Sequence, residues 1–220
     1  MWAALTGPHA HLAQTNGQAA RYPADVSPWV GLVDGHDERA WNDVVGLVSP
    51  GGMVGLAGEP GTPPADWTVL HQLPGVQLVA ETLDAVPDAE AYLLGAADVP
   101  EMLDLAARTR PGPFLPRTVE LGRYLGIRRH GRLVAMAGER MRPPGWTEIS
   151  AVCTDPDHRG DGLAGRLVRA VAAGIVARGD TPFLHAASDN TGAIELYRRL
   201  GFVIRKKPLF RILRVPGEST

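Results

Sequence analysis

Val152-Cys153-Thr154-Asp155-Pro156-Asp157-His158-Arg159-Gly160-Asp161-Gly162-Leu163-Ala164 is the most informative stretch of the chain. A strand candidate over Trp146–Thr154 ends at Asp155-Pro156, a short loop follows, and a helix begins after Gly162. Leu163, Leu167, Val171 and Ile175 recur every fourth residue and predict a helix over 163–178. The start of a helix carries unpaired backbone N–H groups and a partial positive charge. Gly160 and Gly162 let the backbone approach a ligand with no Cβ in the way. Together these features make a candidate pyrophosphate cradle. The Gly-Lys-Ser/Thr ending of a nucleotide P-loop is absent. Gly165 completes a G-x-G-x-x-G spacing, but hairpins precede the loop, where a dinucleotide fold would alternate strand and helix.

Downstream, 182–186 reads as a strand. Residues 190–200 read as a helix with Asn190 as cap and Gly201 as terminator. Two strands follow at 203–207 and 209–213. Upstream, strands at 124–129 and 132–140 flank a tight turn at His130-Gly131. Pro143-Pro144-Gly145 is another turn. A strand at 91–94 precedes a helix in which Asp98 and Glu101 have capping-box spacing, and Pro111-Gly112-Pro113 ends that element. Before a joint at 83–90 the chain is more broken, with a helix at 41–48 and strands at 53–57 and 76–80. Four of the five tryptophans (Trp2, Trp29, Trp41, Trp67) lie there and read as core of a small α/β unit, with a binding surface as the alternative. The fold class is α+β: a mixed central sheet flanked by helices, preceded by a smaller α/β N-terminal domain.

With 220 residues, the chain is long enough for one large domain or two small ones, and the division expected is 1–88 and 89–220. The first segment carries a net charge of −8 and the second +6, within a total of −2. A positive C-terminal half suits an anionic ligand. The single cysteine, Cys153, excludes an intrachain disulfide and a cysteine metal cluster, and no metal is expected. No apolar run is long enough to span a membrane, and the N-terminus lacks the pattern of a secretion signal. A cytoplasmic location is expected.

The residues from Arg159 to Ala164 resemble the Arg/Gln-x-x-Gly-x-Gly/Ala signature of the GNAT N-acetyltransferases. A second match lies at Asn190-Thr191-Gly192-Ala193-Ile194-Glu195-Leu196-Tyr197-Arg198-Arg199-Leu200-Gly201-Phe202, which resembles the family's later Asn-x-x-Ala-x-x-Leu-Tyr-x-x-x-Gly-Phe helix. The two motifs stand in the family's order with a strand between them, and the resemblance covers about 90–214. It implies that backbone N–H groups of Arg159, Gly160, Asp161, Gly162, Leu163, Ala164 and Gly165 hold the diphosphate of acetyl-CoA. It also implies that Val152, Cys153 and Thr154 pair with the pantetheine arm, and that Asn190 sits near the cofactor. The acceptor would be an amine, attacking the thioester directly in a ternary complex.

Tyr197 matches the family's tyrosine and is the candidate proton donor to the leaving sulfur. The bland alternative is a tyrosine packed along an apolar helix face. Glu148 is the candidate base, since period-two alternation puts Glu148, Ser150, Val152 and Thr154 on one face. The alternative is a salt-bridged strand glutamate. His185 is a second candidate base. Cys153 opposes Glu148 in the alternation and is not read as a nucleophile. Arg198, Arg199, Arg205, Lys206, Lys207, Arg211 and Arg214 read as a solvated face or an aid to the nucleotide's 3′-phosphate rather than a nucleic-acid surface. The N-terminal half would shape the acceptor pocket, support a homodimer, or be a degenerate relative of the catalytic half. The competing reading of the whole is a non-catalytic acyl-CoA-binding or regulatory module.

Overall fold

The computed structural model describes residues 1–58 and 61–217. In chain order the elements are α1 (Trp2–Leu5), β1 (Gln14–Asn16), β2 (Ala19–Arg21), β3 (Val30–Leu32), α2 (Glu38–Val45), β4 (Met53–Gly58), β5 (Thr68–Ala80), β6 (Tyr92–Leu94), α3 (Val99–Thr109), β7 (Tyr124–Arg129), β8 (Arg132–Glu139), β9 (Trp146–Thr154), α4 (Leu163–Ala177), β10 (Thr181–Ala187), α5 (Thr191–Arg199), β11 (Phe202–Lys206) and β12 (Leu209–Arg214). β1, β2 and β3 form a small antiparallel sheet. The other nine strands form one mixed sheet in the order β4-β12-β5-β10-β9-β8-β7-β6, with β11 also paired to β5. β9 and β10 are the parallel neighbours at its centre, joined through α4. The α+β class with a mixed sheet flanked by helices is the architecture expected.

Strand pairing crosses the boundary expected at residue 88. β5 hydrogen-bonds to β10, β11 and β12, so a strand from before residue 88 is an interior strand of a sheet built largely from later strands. The strand expected at 76–80 is also longer than the sequence suggests. Pro74-Gly75 reads as a break, yet β5 runs through it. It changes partners there, from β12 up to Pro74 to β10 from Gly75 and β11 from Gln77, so the missing N–H falls where one ladder ends and the next begins. The opposed charges of the two segments meet each other. Asp88 pairs with Arg166 at 2.7 Å, Asp84 with Arg169 at 3.5 Å, and Asp25 with Arg117 at 3.4 Å.

The main core lies between α4 and the sheet. Leu163, Leu167, Val171 and Ile175 are all buried there, against Leu78, Ile149 and Leu184. A second cluster packs α2 and the small sheet on β4 and β12, with Trp41 and Trp67 edge-to-face at 5.2 Å. The His130-Gly131 turn has φ of 49° and 80°, the left-handed pair that matches strand twist in a two-residue hairpin. The capping box expected at Asp98 and Glu101 does not form. Asp98 instead accepts from the Gly95 N–H and from Arg128, and Glu101 also pairs with Arg128.

His9 is buried, with Nδ1 2.8 Å from the Tyr22 hydroxyl. Burial first, then the positive charges of His11 and Arg142, lower its pKa from 6.5 to about 4. The unfolded chain therefore binds the extra proton first, and His9 withdraws stability as pH falls from 6.5 towards 4. That loss amounts to at most about 3 kcal/mol. Urea unfolding at pH 7 and pH 5 is expected to show the drop, and His9→Asn is expected to flatten it.

Candidate active site

The parallel ladder between β9 and β10 runs from the Trp146–Thr181 pair to the Ile149–Leu184 pair and stops. Just beyond, Ala151 has φ of 52°, a left-handed conformation that a non-glycine residue rarely adopts. On β8 only Ala137 lies between Met136 and Gly138. On β9 both Ala151 and Val152 lie between their partners, Cys153 and Ser150. This is a β-bulge, and it bends β9 at the point where the two strands part.

The bulge also shifts the side-chain alternation by one residue. Ile149 and Val152 pack in the α4 core, while Ala151 and Cys153 pack in the α3 core with Met102 and Leu105. The face expected to hold Glu148, Ser150, Val152 and Thr154 together is therefore split. Glu148, opposite Ile149, falls on the same side as Cys153. Past the bulge the Asp155 N–H donates to the Val134 carbonyl on β8. Period two then turns the Cys153 N–H to β8 as well, and leaves the backbone N–H groups of Val152 and Thr154 facing the cleft.

The loop after β9 is held from below. Asp155 accepts from the Asp157 N–H at 3.1 Å and pairs with Arg108 of α3. Gly160 and Gly162 have φ of 94° and 73°, and a Cβ on either would project into open space. α4 has neither a side-chain cap nor an acidic residue in its first turn. Its first N–H groups therefore face a cleft of about 760 Å³ unneutralised. Arg159, Gly160, Gly162, Leu163, Ala164 and Gly165 line this cleft, as do Val152, Cys153 and Thr154. Asp161 does not, and its carboxylate lies 3.6 Å from His158. Asn190 does, with Oδ1 accepting from the Ala193 N–H at 3.2 Å as the cap of α5. The geometry suits a coenzyme's diphosphate: open glycines, free N–H donors, no opposing acid.

Tyr197 stands on α5 where this cleft meets a second cavity of about 370 Å³. Burial and the neighbouring Cys153 push its phenol up to about 12, so it keeps its proton at any usable pH. Its hydroxyl has no hydrogen-bond partner among the described residues. Burial pushes the Cys153 thiol up to about 11, which leaves it protonated and non-nucleophilic.

Glu148 is 1% exposed and bound on both sides. Arg140 donates Nε and Nη2 to its two oxygens at 3.0 and 2.5 Å, and His185 places Nδ1 2.7 Å from Oε1. Burial alone would raise its pKa, but the Arg140 and His185 charges outweigh it and hold the carboxyl well below the usual range. A carboxylate so engaged is a poor proton acceptor at neutral pH. It fixes the histidine instead. An ionised Glu148 accepts the Nδ1 proton, which makes Nε2 the acceptor nitrogen, 3.1 Å from the Gln77 amide. The His185 ring is held edge-on between Phe183 and Phe210, at 5.7 and 5.4 Å.

Both His185 and Arg140 line the second cavity, together with Trp29, His71, Phe210 and the Arg110 loop after α3. Trp29 and His71 belong to the N-terminal segment, so that half supplies one wall of the site. None of Arg140, Gln77, Trp29 and Arg110 was marked by a motif, since each acquires its position only through strand pairing or loop packing. Among the described residues no group of three or more potential metal ligands exists, and no helix is long and apolar enough to cross a membrane.

A family model described as FR47-like protein matches residues 124–210. A crystal structure of a candidate acetyltransferase from the GNAT family of Novosphingobium aromaticivorans is 38% identical to this chain. It covers 100% of this chain and 96% of its own, with a TM-score of 0.88. The chain belongs to the GNAT acetyltransferase family. Among curated relatives, N-alpha-acetyltransferase RimI of Mycobacterium tuberculosis is 34% identical over 129 residues, 52% of this chain and 80% of that protein. Mycothiol acetyltransferase of Saccharopolyspora erythraea is 33% identical over 100 residues, 45% of this chain and 32% of its own length. GNAT acetyltransferases use acetyl-CoA.

Proposed function

We propose that this GNAT protein transfers an acetyl group from acetyl-CoA to a primary amine held in the cavity beside Trp29. The observation that carries the reading is the pair of cavities meeting at Tyr197. One opens on the uncapped start of α4, and the other on the His185–Glu148 pair. When bound, acetyl-CoA supplies the thioester that the amine attacks. The N–H groups of 159–165 hold its diphosphate, with Asp161 contributing backbone only. The edge of β9 left free past Ile149 pairs with the pantetheine arm, and an N–H of Val152 or Thr154 stabilises the developing oxyanion. Tyr197 protonates the leaving sulfur.

We assign the proton acceptor to Nε2 of His185, reached directly or through one water in place of Gln77. Glu148 acts on that histidine as a positioning residue. Release of free thiol from acetyl-CoA, measured against a panel of amines, tests the proposal: amine-dependent release supports it, and release at the no-amine rate throughout refutes it. The clamped state of Glu148 favours one rival, a module that binds acyl-CoA without turnover. That rival is the outcome in which coenzyme A binds and no amine accelerates thiol release.

A further inference from the structure

We infer that the acceptor is an amine that carries a carboxylate, read by Trp29 and Arg140. The inference rests on the acetyltransferase reading above and concerns what fills the smaller cavity. The charged side chains lining that cavity are Arg110 and Arg140, with His71 and His185 beside them, and among the described residues no Asp or Glu lines it. The nearest acid, Glu148, is 1% exposed and closed off by its bonds to Arg140 and His185.

Arg140 engages Glu148 with Nε and Nη2, and Nη1 has no partner among the described residues. Its guanidinium lies 5.9 Å from the centroid of the Trp29 ring. Trp29 is 7% exposed, and its Nε1 is a buried donor without a partner among the described residues. The Cε3–Cζ3 edge of that indole is pressed on Gly55 of β4, where an added Cβ would come within 2.6 Å of it. The Nε1 edge is therefore the one turned away from β4. A buried donor with no acceptor is a costly arrangement that proteins rarely keep without use.

A buried indole donor without a partner and an unengaged Arg140 Nη1, on two residues that line a cavity with no acid among its described lining residues, suit an oxygen anion. Arg140 is neutralised by Glu148, whereas Arg110 has no ion-pair partner among the described residues, so the cavity is positive overall. An α-amino acid places its carboxylate on Trp29 Nε1 and Arg140 Nη1 and its amine towards His185. A diamine or polyamine would bring a second ammonium to the same wall and find no carboxylate there. The matching amide keeps a carbonyl but loses the charge, so comparing acid with amide separates charge recognition from simple hydrogen bonding.

The experiment measures thiol release at saturating acetyl-CoA with α-amino acids, their carboxamides and diamines. It is run on the wild-type chain and on Trp29→Phe, which keeps an aromatic wall and removes only the N–H. The expected result is a kcat/KM for the best acid about tenfold or more above its amide, with diamines unused. Trp29→Phe raises KM for the acid about tenfold, with kcat and the KM for acetyl-CoA little changed. Equal or better use of amides or diamines by the wild type, or a Trp29→Phe variant that keeps the full wild-type preference for acid over amide, overturns the inference while leaving the acetyltransferase reading intact. Calorimetric titration of the acids into the coenzyme A complex gives a readout that needs no turnover. Uptake weakened about tenfold by Trp29→Phe supports the inference, and no uptake of any acid overturns it.

Discussion

Tyr197→Phe is expected to lower kcat about 10²–10³-fold while leaving the KM for acetyl-CoA within about twofold. The phenylalanine ring fills the same space beside Phe202, 6.1 Å away, so the fold and the coenzyme cleft survive. What disappears is the one proton donor on α5 at the meeting of the two cavities. Its proton is available throughout the assay range because the phenol sits at about 12. No alkaline limb of the pH–rate profile below pH 11 should therefore belong to Tyr197, and both enzymes should share the same acid limb. Steady-state kinetics from pH 6 to 10 check this. Unchanged kcat in the variant would return Tyr197 to a packing role.

Glu148→Gln is expected to destabilise the fold by about 3–5 kcal/mol and to abolish most turnover. The substitution leaves the Arg140 guanidinium, 16% exposed, without its counter-ion. It also replaces one of the two carboxylate oxygens with an NH2 donor, leaving a single uncharged oxygen for Arg140 and His185 together, so the proton on Nδ1 of His185 is held less firmly and Nε2 is less committed as the base. Acid sensitivity should change in the same variant. The folded-state pKa of Glu148 lies below its ordinary 4.5, so its contribution is complete above about 4.5 and is lost as pH falls towards the folded value. Urea unfolding of wild type should weaken over that acid window, and Glu148→Gln should be less sensitive there. Replacing both Arg140 and Glu148 with methionine should recover much of the stability without recovering activity, because a buried pair can be exchanged for apolar side chains of similar size. Recovery of activity in the double variant would remove Glu148 from the mechanism.

The parts of the site that were legible in sequence are those governed by local rules. Gly160 and Gly162 before a four-residue apolar repeat mark a helix start, and Asn190 before Ala193 and Tyr197 marks another. Both are decided within a few residues, and the structure places both around one cleft. The rest depended on pairings between distant segments. Ala151 looks like an ordinary strand residue, and nothing near it announces a bulge. Yet that one residue reverses which side Glu148 shares with Val152 and Cys153. Arg140 and Gln77 are unremarkable until β8, β9, β10 and β5 are laid side by side. Trp29 lies 111 positions before Arg140, and its place in the cavity follows from β4 joining the C-terminal sheet through β12. The Pro74-Gly75 pair concealed that connection, because it reads as a break in isolation and is a change of partner in the sheet.

Calorimetric titration of coenzyme A into the protein, beside the same titration with pantetheine, tests the central claim most directly. The uncapped α4 terminus and its glycine loop should bind coenzyme A with a dissociation constant on the order of 10 µM or tighter. Affinity should weaken as salt rises, and pantetheine, which lacks the diphosphate, should bind about 100-fold more weakly. Well-folded protein that takes up no coenzyme A, or binds pantetheine equally well, would contradict the account.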